Sequence, residues 1–154
     1  MDISRIMGIS RDSGAQDSVF GEMEKRTKGY KDCPFCGARK DSRIISLHGT
    51  VAAIQDKYPV SKYHTLVIPL RHTRDFFTMT AQEKRDADEL LKILSRQITK
   101  KDSSVTGFNI GANCGPSAGQ TLMHAHIHLI PRRDGDTPHP KGGVRGVIPD
   151  KMPY

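Results

Sequence analysis

The segment Met123-His124-Ala125-His126-Ile127-His128-Leu129-Ile130 constrains this 154-residue chain more than any other, because histidine and apolar residues alternate in it without a break. Side chains of an extended strand point to opposite faces in turn, so His124, His126 and His128 share one face and Ala125, Ile127 and Leu129 the other. The apolar face can be core while the other displays imidazoles roughly 6.5 to 7 Å apart. A row of groups that titrate near neutrality points to a site; the alternative is a set of surface histidines on an exposed sheet face.

Just upstream, Gly115-Pro116-Ser117-Ala118-Gly119-Gln120-Thr121 is rich in turn formers. Its glycines permit the dihedrals with which several backbone amides converge on one anion, and Ser117, Gln120 and Thr121 add side-chain donors. Such a loop alone is usually a turn. Leading into imidazoles, it supplies what phosphoryl transfer lacks in water, namely fixed donors for the nonbridging oxygens beside a nucleophile. A neutral imidazole is nucleophilic at physiological pH without a base to strip it.

The remaining pattern predicts sheet strands and one long helix. Arg43 to Asp56 reads as two strands joined at His48-Gly49-Thr50, and Thr65–Pro69, Phe108 to Ala112 and Leu122 to Ile130 read as three more. Thr80-Ala81-Gln82-Glu83 has capping-box form, and Ala87, Leu90, Leu91, Leu94 and Ile98 then follow at helical spacing to an end near Lys100 or Lys101. Residues 1–31 form a polar extension with one helical turn around Val19 to Arg26, residues 32–133 the domain, and residues 134–154 a Gly- and Pro-rich basic tail. That tail either stays solvated or brings Arg or Lys to a second phosphate.

Lys and Arg number 24 against 17 Asp and Glu, a net charge of +7 and a pI near 9.5, which favours anionic partners. Nucleic acid is the less favoured one, since no basic stripe is interleaved with aromatics. No run approaches the ~18 apolar residues of a membrane helix, and Met1 to Ile6 lacks the apolar stretch of a secretory signal. Of three cysteines, Cys33 and Cys36 form one close pair, a poor disulfide framework that fits a reducing cytoplasm. Cys33-Pro34-Phe35-Cys36 has the two-residue gap of a zinc knuckle, with redox use as the alternative. Cys114 reads as a small buried residue of the loop, and His48 and His139 as exposed residues without function.

Gly119-Gln120-Thr121-Leu122-Met123-His124-Ala125-His126-Ile127-His128-Leu129-Ile130-Pro131-Arg132 resembles the signature of the histidine triad (HIT) nucleotide hydrolases and transferases. The resemblance extends through Phe108 to Asn113, Thr65 to His72 and Asp56 to Pro59, about residues 33 to 132. It implies an α+β fold, an antiparallel sheet flanked by one long helix and a short helix, usually in a homodimer. It also implies a reaction at the α-phosphate of a dinucleoside polyphosphate, such as diadenosine tetraphosphate, or of a related nucleotide conjugate. By the same resemblance His126 is the nucleophile, His128 assists the phosphate oxygens or the leaving group, and Gln120 and Thr121, with Ser117, complete the phosphate cradle. Asp56 then binds the ribose, Asn109 lies near the scissile phosphate, and His64 supports the triad. A zinc-bearing branch of the family implies that His72 and His124 join Cys33 and Cys36 around one structural zinc per chain, with no redox cofactor. A nucleoside phosphoramidase, a nucleotidyltransferase and a remover of 5′-adenylate from nucleic acid remain alternatives.

Overall fold

The computed structural model describes residues 32–38 and 42–153. Five strands, β1 (Ile44–His48), β2 (Val51–Gln55), β3 (Thr65–Pro69), β4 (Val105–Gly111) and β5 (Ile127–Arg133), make one antiparallel sheet in the order β1-β2-β3-β5-β4. The helix α1 (Ala81–Lys101) covers one face. This is the expected α+β architecture. The helical turn expected around Val19 to Arg26 lies outside the described residues. Beyond α1, the described helical segments are three short 3-10 turns, Phe76–Thr78, Pro116–Ala118 and Gly143–Val147. None of the described helices is long and apolar enough to cross a membrane.

The middle strands are apolar on both sides, so the sheet has two faces to bury. Val51, Ala53 and Val67 meet Ala87, Leu90, Leu94 and Ile98 of α1, while Ala52, Ile54, Leu66 and Ile68 face away from it. The second face is covered by the Cys-Pro-Phe-Cys turn, whose Phe35 and nearby Ala38 pack on those four residues. The capping box forms as expected: the Thr80 hydroxyl accepts the Glu83 amide at 3.1 Å, and the Glu83 carboxylate takes the Thr80 amide at 2.7 Å. Glu83 is itself buried, because both arms of Arg71 reach it at 2.9 Å and tie the exit of β3 to the start of α1. Asp86 is buried likewise, accepting from the amide and hydroxyl of Thr50 at 2.7 and 2.6 Å. An apolar periodicity cannot reveal either carboxylate.

Two strands differ from expectation. β4 starts at Val105 rather than Phe108 and stops at Gly111. The strand expected over Leu122 to Ile130 joins the sheet only from Ile127, because the preceding backbone is bonded elsewhere: the Ala125 amide donates to the Thr73 carbonyl at 2.7 Å. The alternation survives the missing ladder, and Ala125, Ile127 and Leu129 all enter the core under α1.

Part of the tail is folded. Arg132 is held by Asp136 at 2.7 and 2.8 Å and by Asn109 at 2.6 Å, Arg133 by Asp102 at 2.9 Å, and the Gly143–Val147 turn packs on β4. Both arginines belong to β5, and the bonds of Arg132 to Asp136 and Asn109 tie the start of the tail to β5 and β4.

The β1–β2 turn supplies a stability test. Gly49 has φ +53° and a Cβ there would press into the Asp86 carboxylate, whereas Gly135 has φ +78° with nothing within 4 Å of its Cβ position. Gly49→Ala should cost about 2 to 4 kcal/mol and Gly135→Ala about 1 kcal/mol in urea unfolding, since only the first adds a broken carboxylate bond to the backbone strain. Equal losses would refute the role given to Asp86.

Candidate active site and metal centre

Four side chains from three parts of the chain converge at the end of the sheet. Nδ1 of His124 lies 3.4 Å from Sγ of Cys33 and 3.5 Å from Sγ of Cys36, and Nδ1 of His72 lies 3.3 Å from Sγ of Cys36. All four ligand atoms fall within 4.8 Å of one another. A thiolate and an imidazole sharing a tetrahedral zinc stand about 3.6 Å apart, given bonds of about 2.3 and 2.0 Å. Burial, and then the neighbouring Cys33, push the Cys36 thiol up to about 12. Two thiols so close ionise together only around a cation, so the donor set fits a metal. His124 is fully buried, and its Nε2 is 2.9 Å from the Pro69 carbonyl. A carbonyl only accepts, so Nε2 carries the proton and Nδ1 keeps the lone pair that faces the sulfurs.

The second imidazole is in the opposite state. His126 Nδ1 lies 2.8 Å from the backbone carbonyl of His124, which places the proton on Nδ1 and the lone pair on Nε2. Its ring meets those of Phe35 and His128, each 5.2 Å away and steeply inclined.

The third takes its state from His64, which is 2 % exposed. The Val60 amide donates to His64 Nδ1 at 3.2 Å, so the His64 proton is on Nε2 and points at His128 Nδ1, 2.9 Å away. His128 then carries its own proton on Nε2. Asp56 Oδ2 stands 3.4 Å from His64 Nε2 and 3.8 Å from His128 Nδ1. Asp56, His64 and His128 also have the spacing of a metal cluster. The Val60 amide argues against that use, because an imidazole bound to metal through Nε2 has a proton on Nδ1 and cannot accept there. Burial, followed by the charges of His126 and His64, holds His128 down to about 4, and burial lowers His64 as well.

The glycine loop is more self-contained than its composition suggests. Gln120 is 4 % exposed: its Oε1 accepts the Gly115 amide at 2.8 Å, and its Nε2 donates to the carbonyls of Arg74 and Leu122 at 2.6 and 3.0 Å. It braces the loop instead of presenting a free donor. The amides of Ala118, Gly119 and Gln120 close bonds inside the loop too, so the nest of amides is smaller than expected. The hydroxyl residues Ser117 and Thr121 are exposed on its rim. Asn109, on β4, spends its carbonyl oxygen on Arg132, while Asn113 in the loop stands 3.5 Å from the Gly119 carbonyl. Sequence reasoning passed over Phe35 and Asn113; Phe35 has no periodic neighbours, and its position between two cysteines was the only signal.

Residues 38–135 match the family described as HIT domain. An adenylylsulfatase of Arabidopsis thaliana is 31% identical over 128 residues, 81% of this chain and 64% of that one. An AP-4-A phosphorylase of Mycobacterium tuberculosis is 31% identical over 100 residues, 63% of this chain and half of that one. Among solved structures, a zinc-bound histidine triad family protein of Mycobacterium smegmatis superposes with a TM-score of 0.64 at 30% identity, covering 71% of this chain and 81% of that one.

The buried imidazoles should be visible in acid stability. An unfolded histidine titrates near 6.5, whereas His128 in the fold does so at about 4, so the unfolded chain takes the proton first. Stability of the metal-free protein should fall as pH drops from about 6.5 toward 4. His128→Gln should flatten that slope by up to about 1.4 kcal/mol per pH unit. Urea midpoints measured across this range provide the check, and an unchanged slope would contradict a neutral His128.

Proposed function

Because the chain belongs to the HIT domain family, we propose that it is a hydrolase acting at the α-phosphate of a dinucleoside polyphosphate or a related nucleotide conjugate, through a covalent nucleotidyl-His126. What carries this reading is the Nδ1–H bond from His126 to the His124 carbonyl, which leaves the Nε2 lone pair for phosphorus. As Nε2 attacks, the N–P bond forms, the bond from phosphorus to the leaving oxygen breaks, and that oxygen keeps the electron pair. Positive charge appears on the imidazole, where the His124 carbonyl stabilises it. His128 Nε2–H gives a hydrogen bond to the oxygen on which negative charge grows. Water then attacks the adduct, the N–P bond breaks, the nucleoside monophosphate leaves, and the water proton goes to solvent.

Ser117 and Thr121 donate hydroxyls to the nonbridging oxygens, with Gln120 acting through the loop it braces. Asp56, close to His128, accepts the ribose hydroxyls, and Asn109 supports the site through Arg132.

The state of His128 bears on the leaving group. A neutral imidazole with a pKa of about 4 offers a hydrogen bond more readily than a proton, which suits leaving groups that depart as anions over amines that must be protonated. Transfer of the nucleotidyl group to phosphate instead of water is the second reading, favoured by the relative named AP-4-A phosphorylase.

Cys33, Cys36, His72 and His124 would hold one zinc per chain in a closed shell, and the ion would supply a structural cross-link. No redox cofactor has a part in this scheme. A reducing cytoplasm fits the cysteine pair. A homodimer fits β4, an edge strand whose outer side a second copy can pair.

His126→Ala should lower turnover of diadenosine tetraphosphate at least a thousandfold while nucleotide binding persists, and acid quench of the wild type followed by intact-mass analysis should trap a nucleotidyl adduct that the variant lacks. Turnover preserved in His126→Ala would end the proposal. Zinc titrated into the metal-free protein should bind at one per chain and raise the thermal midpoint. Cys33→Ser should abolish both effects, and a midpoint that ignores zinc would refute the structural role.

A further inference from the structure

We propose that Phe35 is a positioning residue for the attacking imidazole, an inference that rests on His126 being the nucleophile. Phe35 stands inside the metal-ligand turn but has no ligand atom, and it is 6 % exposed. Its ring meets two histidines edge-on: His124 at 5.7 Å with the planes at 82°, and His126 at 5.2 Å with the planes at 68°. His126 also meets the ring of His128 at 5.2 Å and 66°.

Each contact restrains a different freedom. The bond from His126 Nδ1 to the His124 carbonyl fixes which nitrogen bears the proton, yet a single hydrogen bond lets a ring pivot about its own axis. Two steeply inclined rings in contact with His126 limit that pivot and hold Nε2 on one line. An aliphatic side chain of similar volume would fill the apolar face that Phe35 shares with Ile54 and Leu66, but it would not present a flat edge to the imidazole. Since Phe35 lies between Cys33 and Cys36, the conformation of the metal turn reaches the nucleophile through this ring.

The test is single-turnover nucleotidylation of Phe35→Leu and Phe35→Tyr by diadenosine tetraphosphate, with zinc content measured on the same samples. The rate constant is a property of each folded molecule, whereas the amplitude counts how many are folded. Phe35→Leu should lower the rate constant ten- to a hundredfold, the scale of a misaligned reacting atom, with KM within about threefold of wild type. Phe35→Tyr keeps the ring and should stay within about twofold. A Leu variant that loses amplitude at an unchanged rate constant, or a Tyr variant as slow as Leu, overturns the proposal. Long-range 1H–15N correlation of His126 needs no substrate: Phe35→Leu should broaden or mix a tautomer that is single in the wild type, and an unaltered signal counts against Phe35. Absence of any His126 adduct in the wild type would instead sink the hydrolase reading, leaving the nuclear resonance result to judge Phe35.

Discussion

The peptide carbonyl of His124 is the acceptor on which the chemistry of the site turns. It receives the His126 Nδ1 proton, while the ring of the same residue gives its own proton to Pro69 and turns Nδ1 to the sulfurs. One residue thus joins the four candidate metal ligands to the His126 imidazole by two bonds of opposite sense. Three identical side chains fall into two tautomers set by their neighbours: a carbonyl beside Nε2 of His124 and a donating His64 beside Nδ1 of His128 put the proton on Nε2, while a carbonyl beside Nδ1 of His126 puts it on Nδ1. Chemical identity supplies the imidazole, and the backbone decides what each one does.

That arrangement depends on covering the sheet face opposite α1. Ala52, Ile54, Leu66 and Ile68 would be open there without the turn that carries Phe35, whose burial contributes about 2 to 3 kcal/mol. The same turn brings two sulfurs to His72 and His124, more than thirty and eighty residues away along the chain. The cover of the second core, two of the four candidate metal ligands and the flank of His126 are therefore one short segment. Its apolar packing alone is small, which is why a cross-link at that point has leverage on folding.

The sheet, the capping box of α1 and the two-faced alternation around His126 were legible because each follows from a period or a fixed spacing. The Thr80 and Glu83 pair announces itself in four consecutive residues, and Ala125, Ile127 and Leu129 announce their face by alternation. Gln120 was read as a phosphate donor because its place in the loop suits one. Its burial and its bond to the Arg74 carbonyl depend on a segment 46 residues away, which no local pattern encodes. The late start of β5 has the same origin: the Thr73 carbonyl competes for the Ala125 amide. Local spacing carries secondary structure and residue type, whereas the partner of a polar group is a tertiary fact.

Net charge misleads in a related way. The chain carries +7, yet Arg71, Arg132 and Arg133 around the sheet are bound to Glu83, Asp136 and Asp102, and His128 is neutral. On the proposed reading, the donors the phosphate meets among the described residues include hydroxyls, a few amides and the neutral His128. Neutral donors hold a ground-state polyphosphate loosely, and their hydrogen bonds strengthen as charge concentrates on the leaving oxygen. Cations fixed in the same place would stabilise substrate and transition state alike, tightening binding without speeding the step. On that reading, neutral donors fixed by tautomer direct their interaction energy to the step in which the N–P bond forms.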